Sequence, residues 1–185
     1  MKVNGSSLQY SFCALERRSL NGLDKIVKKT TMVTSQQALK KYGDPELLAT
    51  QSKCMEVWVV PEDIRSAFAH VRFTATGTFG FPKKIYLNKD MRAPLEQALR
   101  NIITKGLASE LKTWDGVFII RSKRGFKTMS LHSWALAFDI NQETNRLGAT
   151  PTLSQKLVKA VTDAGFDWGG SWKRPDGMHF QLSKI

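Results

Sequence analysis

The hydrophobic residues of this chain come in short bursts of two incompatible periods, and that mixture limits the fold. Met55–Val60, Val71–Thr74, Ile85–Leu87, Gly116–Arg121, Phe138–Asn141 and Met178–Leu182 each predict a short strand. Pro61 ends the first, and a glycine-rich turn lies between the second and third. Over Met91–Gly106 the period changes. Leu95, Ala98, Leu99, Ile102 and Ile103 recur at helical spacing, Pro94 reads as first-turn and Gly106 closes the segment. Thr152–Ala164 predicts a second amphipathic helix, with Leu153, Leu157, Val158 and Val161 on one side and Gly165 after it. A shorter helix starts near Thr34–Ser35 and stops at Tyr42–Gly43–Asp44–Pro45. Strands and helices do not alternate regularly, so the expectation is α+β: a small mixed, mainly antiparallel sheet with flanking helices.

A chain of 185 residues can bury a real core as one domain. Residues 1–33 lack periodicity and read as a basic flank, which leaves 34–185 as a single domain. No run of about 18 apolar residues exists to span a membrane. The N-terminus shows neither an apolar core nor a small-residue cleavage pattern, so a secretory signal is not expected. Cys13 and Cys54, outside any CxxC, read as free thiols. The net charge of +12 is the unusual bulk feature. It suits a polyanionic partner, whether nucleic acid, lipid headgroups or anionic wall polymer.

The chemistry sits at two of the three histidines, His132 and His179. A catalytic zinc takes three protein ligands and keeps a fourth position for water. His132 and Asp139 flank an apolar stretch, and a turn followed by a strand can aim both inward. His179 lies in the last predicted strand, beside Met178, Phe180 and Leu182. Asp176, three residues earlier, is placed to take a proton from the water. His70 has no matching partner and reads as structural. Asn141 is a candidate to orient a ligand. Trp172 is a candidate wall for a peptide groove, whereas Trp134 and Trp168 read as packing.

With those residues in view, Ser130-x-His132-x-x-Ala135-x-Ala137-x-Asp139 followed by Asp176-x-x-His179 resembles the zinc D-alanyl-D-alanine carboxypeptidase and L-alanyl-D-glutamate endopeptidase family. That family includes the vancomycin-resistance carboxypeptidases and many phage endolysins. The similarity runs over roughly residues 51–185 and includes the arginine-bearing stretch Arg121–Gly125. It implies zinc on His132, Asp139 and His179. It implies Asp176 as general base, where many members have Glu, and Arg121 near the substrate carbonyl. Arg124 and Arg174 are alternatives for that cation. Ala135 stands where the family usually has Gly.

The resemblance implies hydrolysis of a peptide bond in bacterial peptidoglycan stem peptides, by a monomeric catalytic module of phage-endolysin type. Such an enzyme is made in the cytoplasm without a signal peptide and acts at the cell wall, in the host periplasm if phage-encoded. Its charge suits electrostatic contact with an anionic wall or outer-membrane surface, and no nucleic-acid partner is expected. D-Ala-D-Ala, L-Ala-D-Glu and cross-bridge bonds all fit the motifs. Lysostaphin-type peptidases end in His-x-His, and this chain has one His there. The alternatives are a basic nucleic-acid-binding protein, which explains the charge alone, and a non-catalytic wall-binding module on the same fold.

Overall fold

The computed structural model describes residues 32–185. The expected flank falls almost wholly outside them, as does Cys13. Helix α1 (Ser35–Tyr42) is opened by a reciprocal cap between Thr34 and Gln37. It is followed by α2 (Leu48–Cys54), β1 (Met55–Val59), α3 (Glu62–Ala67), β2 (Arg72–Phe73), β3 (Thr78–Phe79) and β4 (Lys84–Asn88). Helix α4 (Lys89–Thr104), β5 (Thr113–Gly116), β6 (Ala137–Ile140), α5 (Gln155–Thr162), β7 (Phe166–Trp168) and β8 (His179–Leu182) complete the order. Strands β1 and β4 form a two-stranded antiparallel ribbon. The other six form one sheet in the order β3-β2-β5-β6-β8-β7. Only the β2–β5 pair in it is parallel. The architecture is α+β, as the periodicities predict. No helix of the described residues is long and apolar enough to cross a membrane.

Strand alternation explains how one sheet serves two purposes. In β6 and β8, Phe138 lies opposite Phe180 and Asp139 opposite His179. The aromatic pair stacks with centroids 5.5 Å apart, and Phe138 also meets Trp114 and Phe166. These rings, with Leu95, Leu99 and Ile102 of α4 and Leu157 and Val161 of α5, are buried in the main core. The residues that alternate with them, Asp139 and His179, are thereby held on the opposite face. Val33, assigned to the flank by sequence, is buried in the same core.

Three expectations need correction. The apolar run Gly116–Arg121 is not a strand. The strand lies earlier, at Thr113–Gly116, and a bulge between Trp114 and Gly116 breaks its register with β6. Gly116 has φ +115°, open to glycine but not to ordinary residues, and there the chain leaves the sheet. Pro94 is not in the first turn: Asn88 caps α4 by accepting from the Asp90 amide, so the helix begins at Lys89. Ser154 accepts from the Leu157 amide and starts α5 at Gln155, three residues later than expected.

Candidate metal centre

Each donor arrives on a separately specified element. His132 lies in a single 3-10 turn, Leu131–Trp134, that Ser130 caps. Ala135 ends the turn in the left-handed conformation, φ 49° and ψ 41°. That conformation favours glycine, which accounts for the usual family residue there; Ala bears it at a cost of roughly 1 kcal/mol. Asp139 and His179 are direct cross-strand neighbours. Asp176 precedes β8 in a loop held by its own amide to the Gly169 carbonyl at 2.9 Å. A Cβ on Gly169 would stand 2.7 Å from the Asp176 carbonyl oxygen, so this approach requires glycine. Trp168 donates to the Gly177 carbonyl at 2.8 Å and fixes the same loop from the other side.

The three donors meet at one point. His132 Nε2 is 3.1 Å from His179 Nδ1 and 3.2 Å from Asp139 Oδ1, and His179 Nδ1 is 3.1 Å from that oxygen. The remaining ring nitrogens fix the protons. His132 Nδ1 lies 2.8 Å from the Val117 carbonyl, which can only accept, so that nitrogen donates. His179 Nε2 faces Gln181 Oε1 at 3.4 Å, while the Gln181 amide nitrogen donates to the Val33 carbonyl. When both rings are neutral and their outer nitrogens donate, two lone pairs and a carboxylate oxygen face one another. A cation resolves that arrangement. Tetrahedral zinc ligands at about 2.0–2.2 Å stand roughly 3.3–3.5 Å apart, close to what is observed. The donor set therefore fits a zinc ion.

Burial opposes the charge on Asp139, but His132 and His179 more than offset it and hold the carboxyl well below the usual carboxylate range. Asp176 behaves oppositely. Burial pushes its pKa up, with His179 opposing, and its Oδ1 is buried without a partner. A desolvated carboxyl beside a metal-binding group has the character of a general base.

Two cavities flank the donors. One, of about 320 Å³, is lined by His132 and Asp139 together with Tyr86, Phe118 and Ile119. The other, of about 640 Å³, is lined by His179 and Asp176, and Arg121, Arg124, Arg174 and Trp172 all face it. Arg121 does not end a strand. Its backbone is stitched to the His132 turn instead: Ser130 N donates to its carbonyl at 2.9 Å and its amide donates to Ser133 Oγ at 3.1 Å. The Trp172 ring lies 5.3 Å from that of His179. Trp134 is buried and donates to the Gly43 carbonyl, as packing requires. His70 Nε2 lies between the Ala108 and Leu111 carbonyls, a structural role.

Asn141 orients no ligand. Its oxygen accepts from the Lys112 and Thr113 amides and its nitrogen donates to Glu110, which ties β6 to the entry of β5. The residue that contacts a ligand ring is Gln181, which sequence reasoning passed over. The signal was present: Gln181 is two residues beyond His179 in a strand and so shares its face.

Residues 124–182 match the family model described as D-alanyl-D-alanine carboxypeptidase. No curated protein and no solved structure matches the chain. The matched residues include His132, Asp139, Asp176 and His179, and the family resembled by the motifs is supported. The segment that brings together the three donors and the neighbouring acid is thus the part of the chain that is similar to the D-alanyl-D-alanine carboxypeptidase family.

Proposed function

We propose that residues 34–185 form a zinc metallopeptidase domain that hydrolyses a peptide bond in bacterial peptidoglycan stem peptides, and that it works as a monomeric, endolysin-type wall-degrading enzyme. The observation that carries this reading is the convergence of His132 Nε2, His179 Nδ1 and Asp139 Oδ1, each within 3.2 Å of the other two. Zinc bound there supplies Lewis acidity and a water of lowered pKa. Asp176 takes the proton of the attacking water and returns it to the leaving amine. Arg121, fixed against the His132 turn, faces the oxyanion that develops on the scissile carbonyl. The excess of cations favours contact with an anionic wall or outer-membrane surface.

The test is metal analysis joined to a wall-digestion assay. Purified protein should carry about one zinc per chain. Chelation should stop hydrolysis and added zinc should restore it. Stoichiometric zinc with no cleavage of any wall peptide would leave a metal site but remove the peptidase reading.

A further inference from the structure

Between Asp115 and Asp139 the chain has no acidic residue, and its four cations there, Arg121, Lys123, Arg124 and Lys127, fall within seven positions. The fold turns this stretch into a hairpin. Ser122 and Met129 bridge in antiparallel register. The Lys123 amide donates to the Thr128 carbonyl at 2.8 Å, and the Phe126 amide donates back to the Lys123 carbonyl at 3.0 Å. The Ser130 amide, bonded to the Arg121 carbonyl, ties the stem to the His132 turn. A short turn held by its own backbone bonds thus leaves Arg124, Phe126 and Lys127 exposed at its tip.

Two features set this tip apart from an ordinary solvated loop. Phe126 is 69% exposed, so its ring gives up the stabilisation that burial of an aromatic side chain provides. Ile119 and Ile120, which lead into the stem, are exposed as well. The second feature is charge. None of the four cations forms an ion pair among the described residues. Together these features select a partner. Cations alone suit any polyanion. A hydrated wall polymer offers the phenyl ring no apolar contact, and nucleic-acid bases stack on a ring but not on the two isoleucines. An anionic bilayer supplies phosphates at its surface and hydrocarbon beneath. An apolar tip flanked by long cationic side chains matches that order of layers.

We infer that the Ser122–Met129 hairpin docks the protein on an anionic phospholipid surface, with the Phe126 ring entering between the headgroups and Arg124 and Lys127 on their phosphates. The docking does not depend on the chemistry at the three donors. Lys123, Arg124 and Phe126 also line the larger cavity, so a docked hairpin brings the mouth of that cavity to the lipid surface.

The probes are vesicles of equimolar phosphatidylglycerol and phosphatidylcholine, vesicles of phosphatidylcholine alone, heparin, and a single-stranded oligonucleotide. The full chain should co-sediment with the anionic vesicles and not with the neutral ones, and its binding should weaken as salt rises. Phe126→Ala should weaken vesicle binding at least about tenfold, the scale of withholding one aromatic ring from an apolar phase. Lys127→Gln should weaken it about fivefold, the scale of one cation beside an anionic bilayer. Phe79→Ala is the control: Phe79 is 74% exposed on β3, outside the hairpin, and its loss should leave vesicle binding unchanged. Heparin carries charge without hydrocarbon, so Phe126→Ala should bind it as the wild type does. All three side chains are exposed, and thermal melting confirms that each variant folds. The inference is overturned if the wild type ignores anionic vesicles, if Phe126→Ala binds them undiminished, or if Phe79→Ala loses as much. It is also overturned if the oligonucleotide is bound more tightly than the vesicles and suffers the larger loss in Phe126→Ala. Each of these outcomes leaves zinc retention and peptide cleavage to be judged separately.

Discussion

The helical back of the molecule and the mouth of the large cavity handle positive charge in opposite ways. On the back, Arg100 of α4 bonds both Asp63 and Glu96, and Lys105 and Lys159 share Asp163. At the cavity, Arg121, Lys123, Arg124, Lys173 and Arg174 face one acid, and none of the five forms an ion pair among the described residues. Cations of the first kind are matched within the chain and are spent on the fold. Those of the second kind are available to an anion from outside. A net charge of +12 is therefore a poor guide to function until it is divided between matched and unmatched groups.

The contrast is broken most severely at the metal. His179→Ala removes a donor from the cavity wall and touches nothing on the back. It should abolish zinc retention and hydrolysis together, as read by metal analysis and a wall-digestion assay. Asp176→Asn should act next most strongly. It leaves the three donors in place, so zinc should stay while hydrolysis falls at least about a hundredfold, the usual scale for a general base. Loss of zinc in this variant would make Asp176 a ligand.

Lys123→Met sharpens the comparison by its opposite sign on stability and function. Burial depresses the folded-state pKa, so the charged form carries a penalty at every pH below that value, neutrality included. Relief of that penalty is complete only above the unfolded pKa. The variant should therefore melt slightly higher at pH 7, by the equivalent of about 0.5 kcal/mol, and the gain should shrink in alkali. Its binding to anionic vesicles should weaken. Differential scanning calorimetry across pH, set beside vesicle binding, checks both. The smallest effect belongs to the back: Asp163→Asn breaks two exposed pairs and should shift melting barely, with hydrolysis unchanged.

The donors were legible in the sequence because their chemistry is rare. Two histidines and two acids in that spacing have few other uses, and strand alternation then fixes where Asp139 and His179 point. Periodicity likewise located α1, β1 and β8, and most of α4. It failed where a backbone feature overrode side-chain pattern. The run Val117–Ile120 has strand-like composition, yet a bulge at Asp115 and the positive φ of Gly116 send it out of the sheet. Leu48–Cys54 and Glu62–Ala67 are too short to show a helical period and form through tertiary packing. The separation into matched and unmatched cations was not legible either. Arg100 and Lys123 look alike in one dimension, and only the fold places Asp63 beside the first and an open cavity beside the second.

The small chain of bonds from Val33 through Gln181 to His179 has a consequence for how the domain can be cut. The Val33 carbonyl holds the Gln181 amide, whose oxygen in turn keeps the proton on His179 Nε2 and leaves Nδ1 bare. A protein begun at residue 34 would retain every donor and every strand, yet would lose the acceptor that sets the amide's orientation. Gln181 could then flip its amide end for end and present hydrogens to the ring, favouring the opposite tautomer and closing Nδ1 with a proton. Zinc uptake by such a fragment would first have to turn the amide back and move that proton to Nε2, so its metal affinity would be lower than that of a protein retaining Val33 by the same factor at every pH.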